Sequence, residues 1–263
     1  GGRGAGGGGG RGAGAGGRGG RGGAVERTVP EGRTQTFHEI TDFEPVTEQE
    51  LIDPDPGDWL IYRRTYDSQG YSPLDQIDRS NVGDLSLEWV WAMADGTNQP
   101  TPLVHDGIMY LASPMNTIQA LDASDGTLLW EYTRLFADDF RVGFSQLRNL
   151  AIWGENIYVA TKDAYLVALN ARTGETVWET QIADYHLGYT NVAGVMVVEG
   201  KVLNGINGCD RFHEESCFIT AHDAVTGEEL WRLYTVARPG EPGGDTWGDL
   251  PFGLRGGVDV WNT

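Results

Sequence analysis

The feature that most constrains the fold is a motif that the chain repeats three times. The pattern Ala-x-(Asp/Asn)-x-x-x-Gly-x-x-x-Trp occupies residues 120–130, 168–178 and 221–231. Short apolar runs bounded by turn signals precede each copy, such as PLVHDGIMYLASP, in which the Asp-Gly pair is a strong hairpin signal. A unit of four short strands with a period of roughly 50 residues is typical of a β-propeller blade.

Each position of the motif suits a blade that cannot bury both of its faces alone. The small Ala permits close packing, the Asp or Asn caps a turn, and the Gly takes a position that needs a positive φ. The Trp supplies the aromatic area that a seam between blades requires. We therefore predict that Trp130, Trp178 and Trp231 are structural docking residues rather than catalytic ones.

The predicted fold class is all-β, a β-propeller of four-stranded antiparallel blades with tryptophan-docking motifs. Propellers close with roughly four to eight blades. Three motif copies therefore predict an incomplete ring, the N-terminal part of a longer protein.

The rest of the chain divides by composition. Residues 1–24 are rich in Gly and Arg and are expected to be disordered, as a linker or a product of a wrong start, although Arg-Gly-Gly tracts can also bind RNA. Residues 25–57 form a polar lead-in with one short helix near TEQELI. Residues 58–263 form the propeller part, and LSLEWVWAM at 85–93 resembles a strand.

Charge and hydropathy exclude two classes of function. The formal net charge is −19, and residues 1–24 contain Arg but no acid, so the remainder is more acidic still. Such a surface repels nucleic acid. No apolar run reaches the roughly 18 residues of a transmembrane helix, and no signal peptide is visible.

Two clusters of potential metal or redox residues lie close together. Cys209 and Cys217 flank a polar loop and could close a small disulfide in an oxidising compartment, with two free thiols as the alternative. Between them, His213, Glu214 and Glu215 offer too few ligands at zinc spacing, so a solvated loop is predicted.

The docking motif resembles that of the quinoprotein dehydrogenases, the eight-bladed alcohol and methanol dehydrogenases that use pyrroloquinoline quinone (PQQ). WLIYRRTYDSQGYSPLDQIDRSNV is similar to the N-terminal signature of this family, and YTVARPGEPGGDTWGDLP resembles its long loop after the third motif. The resemblance covers about residues 58–263 and implies that this chain forms about three to four blades of an eight-bladed ring.

The resemblance implies a function and its partners. Members oxidise a primary or secondary alcohol to the carbonyl by hydride transfer to PQQ, assisted by Ca²⁺ or a lanthanide, and pass electrons to a cytochrome c-type acceptor in the periplasm. A homodimer is a further state that the resemblance allows. The catalytic Asp of the family would lie beyond Thr263, so no catalytic residue is expected within this chain, which is expected to be inactive alone.

The resemblance also implies cofactor-site residues. In GINGCD, Asn207, Gly208 and Cys209 would border the cofactor, and Asp210 stands where a metal-ligating Glu is expected. A surface-loop Asp is the alternative for Asp210. Arg148 matches an Arg that pairs with a PQQ carboxylate, a role that suits its bidentate, permanently charged fork, whereas a salt-bridged Arg at a strand end is the alternative.

Four further positions follow from the same alignment. Gln99 replaces a family Glu that touches the cofactor, and Val192, next to Asn191, replaces a cofactor-contacting Thr. Asp259 holds a place usually taken by Thr, and Trp261 would stack under PQQ as the floor of the site.

Other departures weaken the match to methanol-type members. Those members cover one face of PQQ with adjacent cysteines, whereas this chain has Val142 and Gly143 there. Either residues 143–146 pack against the quinone instead, or the site is altered. A non-catalytic propeller scaffold is the second hypothesis, supported by the substitutions at Gln99, Val192, Asp210 and Asp259. The two flanking signatures, with Arg148 and Trp261, favour the dehydrogenase.

Overall fold

A computed structural model describes residues 32–141, 143, 146–209, 216–256 and 259–260. It contains three antiparallel sheets that follow one another along the chain. The first has the order β1-β5-β4-β3-β2 and the others are meanders, β6-β7-β8-β9 and β10-β11-β12-β13. The prediction of an all-β propeller with four-stranded antiparallel blades is confirmed. The helices in this part of the chain are all too short to span a bilayer.

The strands of the first sheet are β1 Gly32–Thr36, β2 Leu103–His105, β3 Ile108–Ser113, β4 Thr117–Asp122 and β5 Leu128–Arg134. Those of the second are β6 Ala151–Trp153, β7 Asn156–Ala160, β8 Tyr165–Asn170 and β9 Thr176–Gln181. Those of the third are β10 Met196–Val198, β11 Lys201–Gly205, β12 Phe218–Asp223 and β13 Glu229–Tyr234. Helix α1 spans Glu48–Ile52, and short 3₁₀ turns occupy Val82–Asp84, Tyr185–Leu187 and Phe252–Leu254.

The repeated motif forms the outer hairpin of each sheet. The Ala of each copy is fully buried and lies opposite the Trp of the same copy, as in Ala168 opposite Trp178. A register shift follows the Ala in all three sheets. The turn is closed as the sequence predicts: Asn170 Oδ1 accepts the backbone N–H groups of Arg172 and Thr173, at 3.0 and 3.2 Å.

The Trp of one blade docks onto the turn of the next. Trp130 Nε1 donates to the carbonyl of Ala171 at 2.9 Å, and its ring lies against Gly174. Trp178 repeats both contacts in the following seam, with the carbonyl of Ala224 at 3.1 Å and with Gly227. Apolar clusters fill both seams, one between the first two sheets and one between the last two.

A fourth Trp docks in the same way, although sequence analysis did not identify it. Trp89 Nε1 donates to the carbonyl of Ala123 at 3.1 Å, and its ring lies against Gly126. The strand expected for the surrounding residues 85–93 does not form among the described residues. Leu87 and Val90 are exposed, and no described strand lies beside this segment to pair with it.

The lead-in is more closely joined to the propeller than its polar sequence suggests. Strand β1 pairs with β5 and becomes the fifth strand of the first sheet. Phe43, Val46 and Leu51 are buried in the seam between the first two sheets. The short helix predicted near TEQELI is present as α1, with Thr47 and Glu50 forming a reciprocal capping box. The predicted disorder of 1–24 lies outside the described residues.

Candidate functional site

A cavity with a volume of about 740 Å³ opens beside the second and third sheets. Its walls come from the loop after β5, the β7–β8 turn, the segment that joins β9 to β10, and the end of β11. Its lining includes Gly143, Lys162, Thr190, Val192 and Gly208.

Two predicted cofactor-site residues, Val192 and Gly208, line this cavity directly, and Asn207 lies behind them. The backbones of Asn207 and Thr190 exchange hydrogen bonds at 2.9 and 3.1 Å, and Asn207 Oδ1 accepts the N–H of Val192 at 3.3 Å. Gly208 has a φ of +91°, and a Cβ there would collide with the carbonyl oxygen of Gly188. The absence of a side chain at Gly208 is therefore a steric requirement of this wall.

Arg148 and Gln99 lie together at a neighbouring cavity of about 240 Å³. Arg148 Nε donates to Gln99 Oε1 at 3.1 Å, and Nη1 donates to the carbonyl of Val192 at 2.9 Å. The two cavities thus adjoin across the Arg148–Val192 contact. Both of these acceptors are neutral oxygens.

The two cysteines form a disulfide, which decides between the alternatives left open by the sequence. Cys209 and Cys217 are both buried, with their Cα atoms 5.3 Å apart. Asp259 lies beside them and accepts the N–H of Cys209 at 3.1 Å. Because the N–H of Val260 also donates to the carbonyl of Ile206, residues 259–260 run alongside 205–209 and brace this wall.

Two groups of described residues have the spacing of metal ligands, but neither is suited to hold a metal. In the group Cys209, Cys217 and Asp259, the sulfurs are bonded to each other and supply no thiolate. In the other group, both ring nitrogens of His105 are engaged, by Asp58 at 2.9 Å and by the carbonyl of Glu44 at 2.8 Å.

Several predicted positions lie outside the described residues. They are the proposed metal ligand Asp210, the proposed stacking residue Trp261, Val142, and the loop acids and histidine Glu214, Glu215 and His213.

Sequence reasoning missed two residues of the large cavity. Lys162 is only 2% exposed, and burial, followed by the positive charge of Arg148, lowers the pKa of its amine to about 8. Thr190 also lines the cavity, and its hydroxyl donates to the carbonyl of Lys162 at 2.7 Å. The sequence does place a lysine in a tight turn between two apolar strands, which could have pointed to Lys162. Lysines in turns are usually exposed to solvent, however, so this position does not by itself predict a binding residue.

The lining of the two cavities fits an anionic, polar ligand. Two cations, Arg148 and Lys162, stand at the adjoining walls. Behind Val192 and Gly208, Asn207 Nδ2 is one of several buried polar atoms in the described part of the chain that have no hydrogen-bond partner. Buried polar groups in native proteins are normally paired, so such atoms mark places where a further group or water completes the network.

Comparison with known proteins agrees with this architecture. Residues 59–263 match the family described as glucose/ethanol/alcohol dehydrogenase, beta-propeller domain, with the short name PQQ. The chain is 39% identical over 229 residues to quinohemoprotein alcohol dehydrogenase ADH-IIG of Pseudomonas putida, an alignment that covers 80% of this chain and 31% of that protein.

Two solved structures extend the comparison. The structure of ADH-IIG from Pseudomonas putida superposes with a TM-score of 0.75 at 36% identity, covering 85% of this chain and 35% of that one. A europium-containing methanol dehydrogenase superposes with a TM-score of 0.64 at 28% identity, covering 72% and 34%. The chain spans about a third of the length of these relatives.

Proposed function

The chain belongs to the PQQ family of glucose, ethanol and alcohol dehydrogenase β-propellers, and from this premise we propose that it supplies part of the cofactor site of an alcohol dehydrogenase. The proposed reaction is the oxidation of a primary or secondary alcohol to the carbonyl, with PQQ as the oxidant. Because the chain spans about a third of its relatives, the reaction is proposed for the whole protein.

The observation that carries the proposal is the pair of adjoining cavities with Arg148 between them. PQQ is a flat tricarboxylate, and an anionic ligand of this kind suits a wall that offers an oriented guanidinium. Gln99 and the carbonyl of Val192 hold two nitrogens of Arg148 and so fix the direction of its fork. When bound, PQQ supplies two-electron redox chemistry, and an adjacent cation supplies a Lewis acid.

The remaining residues of this wall have positioning roles in the proposal. Gly208 lets its backbone pack closely against the segment at Gly188 and Tyr189, because any Cβ there meets the carbonyl oxygen of Gly188. The Cys209–Cys217 disulfide and Asp259 hold that backbone in place from behind. Stacking by Trp261 and metal ligation by Asp210 complete the proposed site. Asp210 would offer carboxylate oxygens to Ca²⁺ or a lanthanide, which are hard cations.

The same proposal includes an electron acceptor and a compartment. A cytochrome c-type acceptor is consistent with the relative described as a quinohemoprotein, and the europium-containing relative supports a metal-dependent site. A periplasmic location is consistent with the disulfide, which persists in oxidising compartments. A homodimer is retained as a proposal on the family resemblance alone.

The test is reconstitution of the full-length gene product with PQQ and either Ca²⁺ or La³⁺. We expect alcohol-dependent reduction of an artificial electron acceptor dye, abolished when PQQ is omitted. Arg148→Gln should weaken PQQ binding by about tenfold or more, since a hydrogen bond to a charged group contributes roughly 1.5–3 kcal/mol. A folded protein that neither binds PQQ nor oxidises any alcohol would instead support the non-catalytic scaffold.

A further inference from the structure

The main chain of Lys162 is fixed from two sides. Its N–H donates to Asn116 Oδ1 at 3.0 Å, in the β3–β4 turn of the first sheet. Its carbonyl accepts the hydroxyl of Thr190 at 2.7 Å, from the segment that leads to β10. The position of this lysine is thus set by both flanking blades, and its side chain enters the wall of the 740 Å³ cavity from a rigid turn.

The acids nearest to Lys162 are committed to other partners. Asp163 follows it directly but forms a buried ion pair with Arg134 at 2.8 Å and accepts from Asn116. Asp139 also lines the cavity, but its carboxylate is engaged by the hydroxyl of Tyr185 at 3.0 Å and by His186 at 3.2 Å. Within the described residues, the amine of Lys162 therefore has no carboxylate and no hydrogen-bond acceptor.

Such an arrangement is unfavourable for an empty wall. Lys162 is 98% removed from solvent and lies within the electrostatic reach of a second cation, Arg148. A buried cation normally has an anionic partner, and the positive charge of Arg148 nearby raises the energy of the Lys162 ammonium further. A negatively charged ligand in the cavity would relieve both the missing hydrogen bonds and the repulsion.

We propose that Lys162 is a further cofactor-binding residue that pairs with a carboxylate of PQQ, so that Lys162 and Arg148 hold the cofactor from adjoining walls. This inference rests on the proposed function, because it takes PQQ as the occupant of the cavity. The amine contributes a compact, rotatable point charge with three donors, whereas the guanidinium of Arg148 contributes an oriented fork.

The experiment measures PQQ binding by titration of the full-length gene product in the presence of Ca²⁺, without any turnover assay. Lys162→Met removes the charge with little change in volume, and Lys162→Arg restores a charge. Lys201→Met is the matched control, since Lys201 is the only other lysine of this chain, pairs with Glu199 at 3.5 Å and does not line the cavity.

We expect Lys162→Met to weaken PQQ binding by about tenfold to a hundredfold, the range for a charge-assisted hydrogen bond. Lys162→Arg should recover most of this loss, and Lys201→Met should leave the affinity within about twofold. The trimethyl ester of PQQ, which lacks the carboxylate charges, should bind wild-type protein and Lys162→Met equally. Thermal unfolding followed by circular dichroism checks that each variant is folded.

Equal PQQ affinity of folded Lys162→Met and wild-type protein would overturn the inference while leaving the proposed function intact. Failure of the wild-type protein to bind PQQ at all would overturn the proposed function instead. If Lys162→Met does not fold, a second measurement on the wild-type protein tests the inference. It compares the rates of reductive methylation of Lys162 with and without PQQ. PQQ should slow modification of Lys162 severalfold and leave Lys201 unchanged, and equal modification with and without PQQ would again overturn the inference.

Discussion

His105 shows how a buried polar residue can be structural in this fold. It is 1% exposed at the end of β2, with Nδ1 2.9 Å from Asp58 and Nε2 2.8 Å from the carbonyl of Glu44. Burial alone would lower its pKa. The hydrogen bonds to Asp58 and Glu44, together with the negative charges of Asp106 and Asp58, outweigh burial and raise the pKa of His105 above its ordinary value.

This raised pKa makes a signed prediction for stability. Because the folded state binds the proton more tightly than the unfolded state, the stabilisation is fully present below the ordinary pKa of about 6.5. It is lost as pH rises through the raised pKa of the folded state. His105→Gln should therefore lower the free energy of unfolding by about 1.5–3 kcal/mol at pH 6, and by less at pH 8.5.

Urea unfolding of wild-type protein and of His105→Gln across this pH range measures the difference. His38→Gln is the control, because His38 is exposed and its replacement should change the free energy of unfolding only slightly. A gap between wild type and His105→Gln that widens as pH rises would contradict the assignment of His105 as a buried imidazolium.

At the residue scale, the sequence predicts the parts of the site that a motif encodes. Arg148, Gln99, Val192 and Gly208 lie at adjoining cavities, as the family alignment would require, although their contacts with a cofactor remain a proposal. The sequence does not predict Lys162 as a site residue. Its role depends on its burial and on the ion pair of Asp163 with Arg134, and the turn sequence TKD reveals neither.

At the scale of elements, the docking turn depends on one glycine for two separate reasons. Gly174 has a φ of +73°, which disfavours any residue with a Cβ. A Cβ at Gly174 would also stand 2.5 Å from Cε3 of Trp130, well inside van der Waals contact. Gly107 has nearly the same φ, +75°, but a Cβ there would meet nothing within 4 Å.

The pair therefore separates backbone strain from seam packing. Gly107→Ala should lower the free energy of unfolding by about 1–2 kcal/mol, the cost of a left-handed alanine. Gly174→Ala should cost about 1–3 kcal/mol more, because the methyl group displaces the docked Trp130. Denaturant unfolding of both variants measures the comparison, and equal losses would mean that the indole moves aside without a penalty.

The elements that the sequence could predict are those whose signals are local. The three motif copies predict the outer hairpins, because the turn residues and the alternating apolar positions act locally. Strand β1 could not be predicted, since GRTQT is polar and forms a strand only because β5 offers it an edge. For residues 85–93 the error is the opposite one, because the predicted strand does not form among the described residues. The segment is apolar and aromatic, but no described strand lies beside it to pair with.

At the scale of the whole molecule, the seams between blades use a second aromatic residue besides the Trp. The carbonyl of Ala171 accepts from Trp130 at 2.9 Å and also from the hydroxyl of Tyr110 at 3.2 Å. The next seam repeats this, with Trp178 and Tyr158 donating to the carbonyl of Ala224 at 3.1 and 3.0 Å. In each case the Tyr lies opposite the motif Ala on the neighbouring strand, as Tyr110 lies opposite Ala120.

The third sheet departs from this pattern. Leu203 occupies the position opposite the motif Ala, where the first two sheets have Tyr. Trp231 is 44% exposed, and no described blade lies against it, whereas Trp130 is completely buried. The described chain therefore has two equivalent seams, in each of which one carbonyl accepts two hydrogen bonds. The docking face at Trp231 has no described sheet against it.

A shared acceptor makes the two donors of a seam energetically dependent on each other. In Trp130→Phe the carbonyl of Ala171 keeps the hydroxyl of Tyr110, and in Tyr110→Phe it keeps the indole, so each single change should cost about 0.5–1.5 kcal/mol. The double variant leaves a buried carbonyl without a donor, which costs about 1–3 kcal/mol beyond the sum of the single losses.

Denaturant unfolding of the four proteins in this cycle measures the coupling energy, and the Trp178–Tyr158 pair should give a coupling of the same sign because its geometry is the same. Trp231→Phe, in the sheet that has Leu203 in place of the Tyr, is the internal control and should change the free energy of unfolding by less than about 0.5 kcal/mol in the 263-residue chain. Strictly additive losses in both seams would show that water or a backbone shift replaces the missing donors, and that the carbonyl is not the point at which the blades are joined.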